Sequence, residues 1–174
     1  RSTDGGTTWK KLANGLPAQT GRIGLAVTAA NPKVVMAVVQ SDAGGTSGID
    51  EIESRAGGTF RSEDGGETWV RTSRLNPRPF YFSQIRIDPS NDQRVYVLGY
   101  GLSVSDDGGR TWREDLFGKV HPDCHELVAT GTPAPRRPVP PKEGEPPEPE
   151  RKPVSPRLLL GTDGGAYLSH DAGT

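Results

Sequence analysis

His121, Asp123 and His125 alternate along six residues of chain, His-Pro-Asp-Cys-His-Glu. In an extended segment alternate side chains share a face, and two imidazoles with a carboxylate could then hold Zn²⁺ or a similar ion. The alternative for the same residues is a hydrogen-bonded loop at the mouth of the channel. Asp163, in Gly-Thr-Asp-Gly-Gly, reads as a second Asp-type turn residue. Arg74, Arg78, Tyr81 and Phe82 supply guanidinium forks and aromatic faces that suit a carbohydrate, or else pack a connector. Glycoside hydrolysis needs two carboxylates flanking the scissile bond. Asp42, Asp50, Glu51 and Glu53 lie in one candidate loop and Asp123 and Glu126 in another, and nothing in the sequence selects a pair. The single cysteine, Cys124, cannot form an intrachain disulfide, so cysteine usage leaves the compartment open.

These residues need a scaffold, and an internal repeat shows what it is. Ser2-Thr3-Asp4-Gly5-Gly6-Thr7-Thr8-Trp9 recurs as Ser62-Glu63-Asp64-Gly65-Gly66-Glu67-Thr68-Trp69 and as Ser105-Asp106-Asp107-Gly108-Gly109-Arg110-Thr111-Trp112. A fourth copy starts at Ser169-His170-Asp171-Ala172-Gly173-Thr174. In this S-x-D-x-G-x-T-W pattern the Asp accepts backbone N–H groups ahead of it and closes a turn. The glycines supply positive φ, and Thr and Trp lead into a strand whose ring covers the turn. Asp4, Gly6, Trp9, Asp64, Gly66, Trp69, Asp107, Gly109, Trp112, Asp171 and Gly173 are therefore read as structural, not catalytic.

The repeat aspartates are spaced 60, 43 and 64 residues apart, against a propeller period of about 40–50. The two longer spacings imply insertions at 41–58 and 132–156. Strand-like runs of β-branched and aromatic residues recur between the turns. In the central unit they are Gln84–Ile87, Arg94–Leu98, Leu102–Val104 and Thr111–Arg113. Four antiparallel strands per unit predict a propeller blade. The expected architecture is all-β: a blade end at 1–20, blades at 21–75 and 76–118, and a partial blade at 119–174. Closed propellers have about four to eight blades, so the chain is expected to form three to four blades of a larger propeller. Strand order puts the repeat turns on one face. The loops 42–57, 76–83, 119–125 and 162–164 fall on the other, where function is expected.

The motif resembles the Asp-box, or BNR repeat, of sialidases, sortilin-type receptors and xyloglucanase-like glycoside hydrolases. Gly21-Arg22-Ile23-Gly24, Asn31-Pro32, Asp88-Pro89 with Val95-Tyr96-Val97, and Leu160-Gly161-Thr162-Asp163-Gly164-Gly165 are similar to the bacterial sortilin-like and glycosyl-hydrolase-like members. His121-Pro122-Asp123-Cys124-His125-Glu126-Leu127 resembles a His-x-Asp-His-His-Ala-Leu segment of that group, departing from it at Pro122 and Cys124. The resemblance implies an extracytoplasmic (secreted or periplasmic) propeller that binds a protein or glycan, as a scaffold or as an accessory subunit of a larger complex. Its alternative is a xyloglucanase-like glycoside hydrolase acting on a polysaccharide. The Arg-Ile-Pro segment of sialidases is missing, since Gly24 follows Arg22-Ile23.

Composition narrows the partners. The 174 residues carry 21 Lys+Arg and 22 Asp+Glu, a net charge of -1, so no global charge points to nucleic acid. No run of about 18 apolar residues is present to span a membrane. The insertion at 132–156 holds 10 prolines and 9 charged residues. It can bury almost nothing and reads as a disordered, solvated, partly polyproline loop. No cofactor is expected beyond the metal alternative at His121, Asp123 and His125.

Overall fold

A computed structural model describes residues 1–41, 56–114, 119–130 and 157–171. The insertion 132–156, most of the 42–57 loop and Gly173 lie outside these residues. Ten strands follow in chain order: β1 (Ile23–Val27), β2 (Val35–Val39), β3 (Gly58–Ser62), β4 (Val70–Ser73), β5 (Gln84–Asp88), β6 (Asn91–Leu98), β7 (Leu102–Ser105), β8 (Cys124–Thr130), β9 (Arg157–Thr162) and β10 (Gly165–Ser169). They form three antiparallel sheets, β1-β2-β3-β4, β5-β6-β7 and β8-β9-β10, each a meander of sequential neighbours.

The sheets stack face to face, and alternation along each strand dictates which residues meet. Ala26, Met36 and Val38 of the first sheet bury against Ile85, Ile87, Val95 and Val97 of the second. The opposite face of the second sheet, with Tyr96, Leu98, Leu102 and Val104, buries against Leu127, Leu158 and Leu160 of the third. β6 is thus covered on both sides, which explains its unbroken Val95-Tyr96-Val97-Leu98 run. A third cluster, Ala37, Val39, Phe60 and Trp69, lies on the outer face of the first sheet under Leu16.

Among the described residues the first sheet has four strands and the other two have three each. In the second, the described part of the expected fourth strand makes the bridge Val104–Arg113, and residues 115–118 lie outside the described residues. At that edge the Asp106 carboxylate accepts from the Arg94 and Arg113 guanidiniums.

The three complete repeat turns share one hydrogen-bond pattern. The Ser hydroxyl donates to Asp Oδ1 at 2.7, 2.7 and 2.8 Å and accepts the amide of the second Gly at 2.8, 2.8 and 2.9 Å. The Thr amide donates to the same carboxylate at 2.9 Å in each, and the Thr hydroxyl at 2.6, 2.6 and 2.7 Å. Both glycines hold positive φ, as with Gly65 at 72° and Gly66 at 92°, where a Cβ would be strained. These donors favour the charged carboxylate. The Thr68 hydroxyl and amide and the Ser62 hydroxyl lower Asp64 to about 2. At Asp107 partial desolvation opposes the shift, but the Thr111 amide and hydroxyl, the Ser105 hydroxyl and the Arg110 amide outweigh it, again giving about 2. Asp4 is lowered in the same way, first by Ser2 and then by Thr8. Ser169 repeats the first contact with Asp171 at 2.5 Å.

The turns are also stapled across sheets. Arg61, 5% exposed, donates to the Asp92 carbonyl at 2.8 Å and pairs with the Asp92 carboxylate at 3.4 Å. Asn31 Nδ2 reaches that carboxylate at 3.0 Å. The turns of the first and second sheets therefore share an end of the stack with the β1–β2 and β5–β6 loops.

Candidate functional site

The connectors at the other end carry the candidate site. Three non-glycine residues among those described have positive φ: Arg78 at 37°, Ser83 at 64° and Asp123 at 61°. All three lie in the segments leading into β5 and β8. Such backbone costs on the order of 1–3 kcal/mol per residue and persists where surrounding structure enforces it, often at ligand sites. The enforcement is visible here. The Ser83 hydroxyl donates to Pro79 O at 2.7 Å, the Tyr81 and Phe82 amides both return to Arg78 O, and the Asp123 amide donates to Tyr100 O at 3.0 Å. Asn76 Nδ2, fully buried, anchors the first connector to Val39 O at 2.9 Å.

This backbone holds an aromatic ledge. Phe80 and Tyr81 are 56% and 50% exposed, with the Arg78 guanidinium 5.5 and 5.7 Å from their ring centroids, within cation–π range. Arg22 clamps the ledge from β1's side, donating to Phe80 O at 3.1 Å and Tyr81 O at 3.0 Å. Phe82 is not part of the exposed surface. It is buried, edge-on to Tyr81 with centroids 4.9 Å apart. The sequence grouped Phe82 with Tyr81 and missed Phe80. It also gave no signal for Arg22, whose partners lie 58 and 59 positions away.

His125 joins the ledge. Its ring lies 5.7 Å from Tyr81 and 5.9 Å from Phe82, and its Nε2 is 2.8 Å from Asp163 Oδ1. Gln84 holds the His125 carbonyl, and Arg86 pairs with Glu126 next to it. Asp163 sits in the β9–β10 turn, brought to β8 by the Cys124–Thr162 pairing.

The metal constellation does not assemble. His121 Nδ1 is directed at its own connector, at Pro122 O, and the His121 amide donates to Tyr167 Oη at 3.0 Å. Its ring lies against Gly164, where an added Cβ would come within 2.3 Å. No group of three or more His, Cys, Asp or Glu among the described residues could hold a metal ion. The premise of an extended segment fails, because β8 begins only at Cys124, Asp123 is left-handed, and the register shifts between Cys124 and Glu126. Cys124 itself is buried, and burial raises its thiol to about 11, so it is an inert core residue. The carboxylates Asp42, Asp50, Glu51 and Glu53 lie outside the described residues.

The comparisons bear on the scaffold. No protein-family model and no curated protein matches the chain. Solved structures do. A GH74 xyloglucanase from Xanthomonas campestris superposes with a TM-score of 0.54 at 19% identity, over 86% of this chain and 22% of that one. A GH74 enzyme from Niastella koreensis gives a TM-score of 0.50 at 17% identity, over 86% and 21%. The fold is of the β-propeller type. At these identities the likeness speaks for the fold alone, and the chain spans about a fifth of the length of those structures. On this propeller framework the Tyr81 ledge and the His125–Asp163 pair share the end of the stack away from the repeat turns. Among the described residues no helix is long and apolar enough to cross a membrane.

Proposed function

We propose that the chain belongs to an extracytoplasmic Asp-box propeller that binds a glycan on the face opposite its Asp-box turns, as a scaffold or accessory subunit and not as a hydrolase. The observation that carries this is the ledge: two half-exposed rings, Phe80 and Tyr81, an Arg78 guanidinium over them, and the His125–Asp163 pair alongside, on backbone held in unfavourable φ. Aromatic faces stack on the apolar faces of sugar rings, and guanidinium and carboxylate groups take the hydroxyls. The fold likeness to xyloglucanases supports a polysaccharide as the ligand class.

The hydrolase reading needs two carboxylates about 5–10 Å apart across a cleft, one of them able to donate a proton. Asp163 is engaged by His125, and Glu126 by Arg86, which suits holding a ligand better than cleaving one. The test pairs two readouts in the same sample: binding of a xyloglucan oligosaccharide by calorimetry, and release of new reducing ends. Binding without release is expected. Release that disappears in Asp163→Asn or Asp123→Asn would establish the hydrolase instead.

A further inference from the structure

Two guanidiniums at the aromatic ledge have no carboxylate partner among the described residues. Arg78 stands over the Phe80 and Tyr81 rings, and its shielded Nε has no hydrogen-bond partner. Arg22 is exposed and directs Nη1 at two neutral carbonyls, Phe80 O and Tyr81 O. The carboxylates of the adjoining loops do not neutralise them. Asp163 is engaged by His125 and Glu126 by Arg86, and among the described residues no ion pair joins Asp123 to either arginine. A shielded guanidinium N–H without an acceptor is costly. The connector nonetheless holds Arg78 in place: its φ is 37°, and its carbonyl accepts the Tyr81 and Phe82 amides. A donor kept unsatisfied on enforced backbone is complementary to an acceptor that arrives from outside.

We infer that the preferred glycan at this ledge is acidic: a uronate whose ring stacks on Tyr81 and whose carboxylate pairs with Arg78, with Arg22 adding a second positive charge. This rests on the glycan reading above and adds the charge of its ligand. A guanidinium presents a planar fork that matches a carboxylate bidentately, and such charge-assisted bonds are about twice as strong as neutral ones. A neutral sugar can offer only hydroxyls and leaves both charges uncompensated. The surroundings favour a sugar acid over a nucleic acid: the rings supply a face for a sugar, while the chain as a whole has a net charge of -1 and lacks the electrostatic footprint of a polyphosphate binder.

Titration calorimetry with tetragalacturonate and with its methyl ester isolates the charge, since the ester keeps the sugar rings and removes the anion. The wild-type chain is expected to bind the acid at least about 10-fold more tightly than the ester at low ionic strength, with the ratio shrinking as salt is raised. Arg78→Gln is expected to bring the ratio close to one, whatever its absolute affinity. If that variant does not fold by circular dichroism, Arg22→Gln takes its place, with the ratio reduced about 3-fold, the worth of an exposed ion pair. A wild-type ratio near one, a folded variant that keeps the full ratio, or no binding of either sugar overturns the inference. Xyloglucan in the same series separates the two readings. If it is bound while the acid shows no advantage, the charge inference alone fails; if none of the three is bound, the glycan reading fails with it.

Discussion

His125 Nε2 lies 2.8 Å from Asp163 Oδ1, although the two residues are 38 positions apart. Their side chains are 39% and 55% exposed, so the pair contributes little to stability, about 0–1 kcal/mol in solvent-exposed settings. Its role is to fix the imidazole beside Tyr81. His125→Ala is therefore expected to leave the melting temperature nearly unchanged while weakening glycan binding about 3- to 10-fold, the worth of one aromatic contact. Differential scanning calorimetry and titration calorimetry on the same sample check the two halves together.

The repeat turns should set the acid limit of the fold. Asp64 and Asp107 are held at about 2, below the unfolded value of about 3.9. A folded value depressed in this way adds stability that is fully present above the unfolded value and disappears as the pH falls through the folded one. The melting temperature is expected to be flat from about pH 7 to 5 and to fall between about pH 4 and 2. Asp107→Asn should lower it at neutral pH and shallow the acid fall. An identical acid fall in the variant would deny the turns this role.

Ile85 is fully buried between the first and second sheets. Ile85→Ala leaves a cavity there and is expected to cost about 2–5 kcal/mol in urea denaturation. Leu25→Ala, at an exposed position, should cost far less in the isolated chain.

Arg61 and Asp92 link the first sheet's turn to the second sheet's β5–β6 loop while largely shielded from water. Asp92→Ala leaves the Arg61 guanidinium with only the exposed Glu63 and the Asp92 carbonyl, and is expected to cost about 3 kcal/mol. Urea denaturation of Asp92→Ala and Asp92→Asn, the latter keeping one acceptor, separates charge from shape.

How far the sequence could be read depended on how locally each feature is made. Asp64 works within seven residues, from Ser62 to Thr68, so its chemistry is written in the spacing. The inward strands were legible for the same reason: alternation at Ile85 and Ile87 shows which side of β5 is buried. The site was legible only in part. Strand order puts Tyr81 at the end opposite the repeat turns, where the structure also has it, whereas the metal reading of His121, Asp123 and His125 assumed an extended backbone that the positive φ of Asp123 and the β8 register shift deny. The Arg22 clamp on Phe80 and Tyr81 and the approach of Asp163 to His125 come from sheet stacking and from the β8–β9 pairing across the 132–156 insertion. No local pattern encodes them.

The claim that this face binds a glycan stands most directly on Tyr81. Titrating a xyloglucan oligosaccharide into the wild-type chain and into Tyr81→Ala, with folding verified by circular dichroism, tests it in one measurement. The expected result is saturable binding by the wild type that weakens at least about 10-fold in the variant, the loss of a stacked ring at a sugar face. Equal affinity in the two, or no binding by the folded wild type, would contradict the account.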